Sequence, residues 1–159
     1  MTVAAPNYSE RIWDADGNAW ISVKNIIGDN RLTLGPQASH QIINDPSHYC
    51  MVLSRYRAAA ALIGDAQTVV ELGSGEGIGA RILAAGRRRY CGIDADADAV
   101  KVARETVGDD AVGFAELNLL TVPFLPGTVY DAVVSLDTIE HIPPMREDDF
   151  LWAAVNCLP

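Results

Sequence analysis

The sequence predicts an α/β fold: three layers, with a mostly parallel sheet between helices. Two observations predict it. From Thr68 onward, short strand-like apolar runs alternate with helical periodicity, in the order strand, helix, strand, helix, strand. That order is the mark of parallel strands joined by crossover helices. The chain also has 159 residues, 49% hydrophobic and 21% charged, which suits one domain with its own core. Right-handed crossovers then restrict the strand order.

Residues 1–45 show no strong pattern and read as an irregular N-terminal segment, a candidate lid. Within it Asp14–Asn18 reads as a turn, Ala19–Ile27 as a short strand and Gly35-Pro36 as a breaker. The domain proper is expected over residues 46–159. Asp45 and Pro46 supply an N-cap and a first helical position. Tyr49, Val52, Leu53, Tyr56, Ala60 and Ile63 then form one apolar stripe, with Arg55 and Arg57 off it and Gly64 just past the end. Thr68–Leu72 reads as a buried strand. A glycine turn follows, then a helix through Ala80–Ala85 that ends at Gly86. Tyr90–Ile93 is the second strand, Asp96–Val107 the second crossover helix and Ala111–Leu117 the third strand. Tyr130–Leu136 is the fourth. Arg146–Leu158 closes as a helix with Phe150, Leu151, Ala154, Val155 and Leu158 on one face. Its first turn carries Glu147, Asp148 and Asp149, which suits the positive end of the helix dipole.

Composition excludes several functions. Twelve basic residues against 21 acidic give a formal charge of −9, a poor match to a phosphate backbone. Arg87-Arg88-Arg89 reads as a solvated loop. The longest uncharged run, Leu117–Tyr130, holds two prolines and is short of the ~18 residues a spanning helix needs. Met1–Pro6 does not read as a secretory signal. Cys50, Cys91 and Cys157 are odd in number, widely spaced and outside any zinc pattern. Free thiols in a reducing cytoplasm are the simplest account.

In open parallel sheets ligands bind beyond the carboxyl ends of the strands. After the first strand stands Gly73-Ser74-Gly75-Glu76-Gly77. It lets a ligand approach the backbone, although a glycine-rich turn without a ligand also fits. A dinucleotide fingerprint needs glycine where Ile78 stands, and no P-loop Gly-Lys-Ser/Thr is present. After the second strand, 21 positions past Gly73, comes Asp94. A carboxylate there can accept both hydroxyls of a ribose, and Asp96 is better placed as the helix cap. After the third come Asn118 and Leu119, suited to an adenine edge and face; a plain turn role fits Asn118 equally well. After the fourth comes Ser135–Pro144.

Val69–Gly77, Gly92–Asp96, Leu119–Phe124, Tyr130–Ser135 and Ile139–Ile142, in that order, resemble the motifs of the class I S-adenosylmethionine-dependent methyltransferases, in their small-molecule branch. The resemblance covers about residues 67–158. It implies a Rossmann-like three-layer α/β/α sandwich that lacks the last strands of the seven-stranded methyltransferase fold. It implies S-adenosyl-L-methionine as cofactor and S-adenosyl-L-homocysteine as product. Carried over, Gly73, Ser74 and Gly75 pass under the methionine part, and Glu71 helps hold its ammonium through water. Asp94 takes the ribose hydroxyls and Ala95 lies beside adenine. Asn118 and Leu119 contact adenine, and Leu136 and Asp137 line the methionine side. The family's usual Gly-Asp before the adenine contact reads Leu117-Asn118 here; Asn can still accept from the adenine amino group.

The resemblance implies methyl transfer to a small-molecule oxygen or nitrogen acceptor. His141 is the candidate base and Glu140 its candidate orienter, with a purely structural loop as the alternative. His48 is expected at the surface and Tyr49 in the core. No metal is predicted, because Asp137 has no further ligands at a matching spacing. Nucleic-acid acceptors are not expected, since Ile142-Pro143-Pro144-Met145 lacks the residues that flank Pro-Pro in the amino-methylating DNA enzymes. Without the last strands, the fourth strand is expected to be an apolar edge, covered by a partner or a second copy. Two alternatives stand beside the active enzyme. One is a non-catalytic or truncated cofactor-binding module that needs a partner or a missing C-terminal half. The other is an NAD-dependent enzyme, against which Ile78 argues.

Overall fold

The computed structural model describes residues 32–86, 88–121 and 129–159. The chain divides between Thr33 and Leu34, and the elements all belong to the unit Leu34–Pro159. The expected turn at Asp14–Asn18 and strand at Ala19–Ile27 lie outside the described residues. The elements are helices α1 (Pro36–Asn44) and α2 (Pro46–Leu62), strand β1 (Thr68–Leu72), helix α3 (Ala80–Leu83) and strand β2 (Arg89–Asp94). Then come helix α4 (Ala97–Thr106), strands β3 (Val112–Glu116) and β4 (Ala132–Val134), and helix α5 (Glu147–Val155). The sheet order is β3-β2-β1-β4, and all three pairings are parallel. The expected α/β sandwich is thus present as a four-stranded sheet.

Strand alternation builds two cores. On one face, Val69, Tyr90, Val112, Phe114 and Val134 pack with Tyr56 of α2, Leu83 of α3 and Val100 of α4. On the other, Val70, Leu72 and Ile93 meet Phe150, Ala153 and Cys157 at α5. A period of two puts Glu71 on the same face as Val69, inside the first core.

Local signals set both ends of α2. The Asp45 side chain accepts the His48 N–H at the start of α2. Gly64, just past the end of α2, has φ +53°, the left-handed conformation that glycine adopts without a Cβ penalty. Arg88 donates to the carbonyls of Gly64 and Ala66, so this member of the arginine triplet ties off the α2–β1 connection. Arg87 lies outside the described residues.

Two expectations are corrected. Residues 36–44, read as irregular, form α1. Gly35 provides no side-chain cap; instead the Glu76 carboxylate accepts the N–H groups of Gln37 (2.9 Å) and Ala38 (3.0 Å). A helix whose cap arrives from a distant turn leaves no local signature. Arg55 lies off the apolar stripe as expected, its side chain 39% exposed, and pairs with Asp137. Along and just after α5 the buried line is Phe150, Ala153 and Cys157. The expected inward residues Leu151, Val155 and Leu158 are 49%, 59% and 41% exposed, beside Trp152 at 63%. The run Phe150–Val155 is apolar all round, so periodicity does not single out a face.

Tyr56 lies directly over Gly79, where a Cβ would overlap its ring. The ring is held by the bond from its hydroxyl to Glu71, which a shift away from Gly79 would strain. Gly79→Ala is therefore expected to destabilise the fold by roughly 1–3 kcal/mol, the usual range for forced overpacking. Thermal unfolding followed by circular dichroism measures this, and an unchanged midpoint would mean that the ring shifts freely.

Candidate functional site

The β1–α3 turn is sewn to the end of β2. Gly73 and Ser74 both donate their N–H to the Ile93 carbonyl, at 2.8 and 3.0 Å. Gly75 N–H donates to Asp94 Oδ2 at 2.7 Å, and Asp94 Oδ1 accepts the Asp96 N–H at 2.9 Å. Gly75 has φ +51°. The atom nearest to where its Cβ would stand is Gln37 Oε1, at 3.8 Å, so the missing side chain leaves an open cradle. Asp96 itself caps α4, accepting from Asp98 and Ala99. The cap is thus Asp96, and Asp94 keeps lone pairs for other donors.

Beyond the strand ends lies a cavity of about 410 Å³. Asp94 and Ala95 form one part of its wall, with Gly73 and Gly75 alongside. Leu119 and the rest of an apolar group, Ile93, Leu117, Leu120, Ile142 and Phe150, form another. Asn118 also lines it, and its Oδ1 accepts the Leu120 N–H at 3.0 Å. Asn118 thus makes the turn considered from sequence while standing in the cavity wall. An acid and an apolar group in the wall of one cavity suit a nucleoside, polar on its ribose and flat and apolar on its base.

A second cavity, also about 410 Å³, adjoins the first. Helices α1 and α2 supply Gln41, His48, Val52 and Arg55; the glycine turn supplies Ser74 and Glu76; the loop after β4 supplies Leu136, Glu140 and His141. His48, expected at the surface, stands in this wall. Gln37, Gly73, Gly75, Asp137 and His141 line both cavities. Asp137 marks the junction: it has φ +53°, the one described non-glycine residue with positive φ, and pairs with Arg55 from α2. Asp tolerates that conformation better than most residues. The loop turns sharply there, where Thr138 accommodates Gly73, whose Cβ would overlap its side chain.

Glu71 is the predicted site residue that lines neither cavity. It is 0% exposed. Tyr56 donates its hydroxyl to one oxygen at 2.6 Å and Tyr90 donates to the other. Burial pushes the Glu71 carboxyl up to about 7, against the lowering effect of the two hydroxyls; the nearby Asp94 charge adds to the rise. Burial, followed by the Glu71 charge, raises both tyrosines well above their ordinary range.

His48, Val52, Arg55 and Tyr56 fall at i, i+4, i+7 and i+8, so one face of α2 looks into the second cavity. The sequence signal was present, but the polar residues on that face masked it. Among the described residues no group of three or more His, Cys, Asp or Glu side chains is placed to hold a metal. No helix there is long and apolar enough to cross a membrane.

Residues 69–158, more than half of the chain, match the model of the family described as methyltransferase domain. No curated protein matches the chain. Among solved structures, the N-methyltransferase NodS from Bradyrhizobium japonicum, in complex with S-adenosyl-L-homocysteine, is similar with TM-score 0.63 and 18% identity, over 74% of this chain and 60% of that one. The magnesium protoporphyrin IX methyltransferase from Synechocystis with bound S-adenosylmethionine gives 0.62 and 19%, over 85% and 71%. A sugar N-methyltransferase from Streptoalloteichus gives 0.56 and 18%, over 67% and 43%. At such identities the likeness is one of fold. The chain spans less than two thirds of the first and third of these proteins.

Proposed function

Because the chain belongs to the methyltransferase-domain family, we propose that it binds S-adenosyl-L-methionine in the first cavity and methylates an oxygen or nitrogen of a small molecule in the second. The observation that supports this most is the pair of adjoining cavities. One suits a nucleoside and the other is lined with hydrogen-bonding groups, and they share Gly73, Gly75, Asp137 and His141. Bound crystal ligands in two of the similar structures, S-adenosyl-L-homocysteine and S-adenosylmethionine, agree with the reading. The free cysteines fit a cytoplasmic setting.

When bound, the cofactor supplies an electrophilic methyl group on a sulfonium centre. The chain's own residues supply binding and orientation. Asp94 would accept from the ribose hydroxyls, Ala95 leave room for adenine, and Leu119 cover its face. Asn118 would meet the adenine edge with the amide capacity that its turn leaves free. Gly73–Gly75 would let the methionine part lie close to backbone, with Leu136 and Asp137 at its side. In the second cavity His141 and His48 are both within the wall, and either imidazole can take a proton from an acceptor hydroxyl. A neutral amine needs no such base.

Titration calorimetry of the chain with S-adenosylhomocysteine, alongside NAD, tests the cofactor. Binding of the first and not the second is expected; no binding by the folded chain would sink the proposal. For a hydroxyl acceptor, His141→Ala is expected to lower kcat about 100-fold at unchanged S-adenosylhomocysteine affinity. Equal kcat would move the base to His48 or leave none. A second reading is a cofactor-binding module that works only with a partner, a second copy or further chain. The exposed Leu151, Trp152, Val155 and Leu158 on and just after α5, and β4 at the sheet edge, favour it. Cofactor binding without methylated product would select it.

A further inference from the structure

We infer that Tyr56 is a positioning residue: through the buried Glu71 carboxylate it couples the α2 wall of the second cavity to the glycine turn beneath both cavities. The inference rests on the proposed reading for its functional meaning, but its physical basis is independent of any ligand.

Three contacts make the coupling. The Tyr56 ring rests on Gly79, at the far end of the turn. Its hydroxyl donates to Glu71, two residues before Gly73. The second Glu71 oxygen is held by Tyr90 of β2, whose ring meets Phe114 edge-on, centroids 5.7 Å apart at 67°. Phe114 in turn packs under Gly77, where its ring would stand 2.7 Å from an added Cβ. Both flanks of the turn thus rest on aromatic rings, and one carboxylate joins them. Glu71 is 0% exposed, so loss of the Tyr56 hydroxyl leaves a buried acceptor without that donor. Arg55, the residue before Tyr56, reaches Asp137 at the junction of the cavities. A displacement of α2 therefore acts on the turn and on the β4 loop together.

Amide hydrogen exchange on the free chain tests this. Tyr56→Phe keeps the ring and removes one hydroxyl. It is expected to raise exchange roughly 10-fold in α2 and in the Gly73–Gly79 turn together, and to weaken S-adenosylhomocysteine binding about as much. Tyr90→Phe, which frees the other Glu71 oxygen, is expected to loosen the turn and, through the Tyr56 bond to Glu71, α2 with it. Exchange that rises in α2 with the turn unchanged, or in neither, would overturn the inference. Should Tyr56→Phe fail to fold, the unaltered chain still decides. Glu71, which burial raises to about 7, is expected to change charge between pH 6 and 8, facing Tyr56 from α2 and Tyr90 and Asp94 from β2, with Asp137 near Tyr56. After correction for intrinsic rates, protection of α2 and of the turn must then shift together, and independent shifts reject the coupling. Absence of S-adenosylhomocysteine binding would count against the cofactor proposal alone, because the exchange readout needs no ligand.

Discussion

Replacing Asp94 with alanine is expected to raise the S-adenosylhomocysteine Kd by 100-fold or more, about the loss from two hydrogen bonds to a charged acceptor. The residue does two things at once. Its oxygens accept the N–H groups of Gly75 and Asp96, which holds the turn against the start of α4. It also lines the first cavity, where on the proposed reading it would receive the ribose hydroxyls. Alanine removes both functions. Asp94→Asn separates them: the amide oxygen can still take the Gly75 N–H, but the group has lost its charge and one acceptor. Because the NH₂ group cannot accept the Asp96 N–H, the Asp94→Asn chain should melt below wild type but above Asp94→Ala, and bind about 10-fold less tightly. Calorimetry on chains checked by circular dichroism reads both values. An Asp94→Ala chain that binds within about threefold of wild type would remove Asp94 from the ligand site and leave it as a turn clamp.

Much of this arrangement is legible in the sequence, because the signals are local. The β1 alternation, the glycine turn, Asp94 and the Asp45 and Asp96 caps all lie within a few residues of what they determine. The parts that were not legible depend on contacts between distant positions. Helix α1 is capped by Glu76 across 38 and 39 positions, so Gly35-Pro36 reads as a break where a helix begins. Arg55 and Asp137 are 82 apart, and nothing near either one announces the other. Glu71 is the instructive case. Its place in the first motif implied a ligand-facing role, but period-two alternation already put it on the Val69 face. Tyr56 and Tyr90, 15 and 19 positions away, then close over it. Motif position and strand register gave conflicting answers for the same side chain, and the register describes where it lies.

The burial of Glu71 has a consequence for stability that can be measured without a ligand. Its carboxyl is raised from 4.5 to about 7 in the fold, so the folded chain holds a proton there that the unfolded chain has already released. A raised pKa contributes stability that is fully present below pH 4.5 and is lost as pH rises through 7. The shift corresponds to about 3 kcal/mol across that window. Glu71→Gln removes this dependence. Its amide oxygen can accept one tyrosine hydroxyl and its NH₂ can donate to the other, so the cluster stays hydrogen-bonded at every pH. The unaltered chain is thus expected to lose stability relative to Glu71→Gln between pH 5 and pH 8, by up to about 3 kcal/mol. Carboxylates with lowered values, such as Asp109, contribute a trend of the opposite sign, but equally in both chains, and cancel in the difference. Urea unfolding of the two chains at four or five pH values gives the comparison. Parallel curves would mean that Glu71 stays ionised throughout, with the two hydroxyls outweighing the cost of burial. A gap that widens toward pH 8 would show that the carboxylate between the two tyrosines carries a proton near neutral pH.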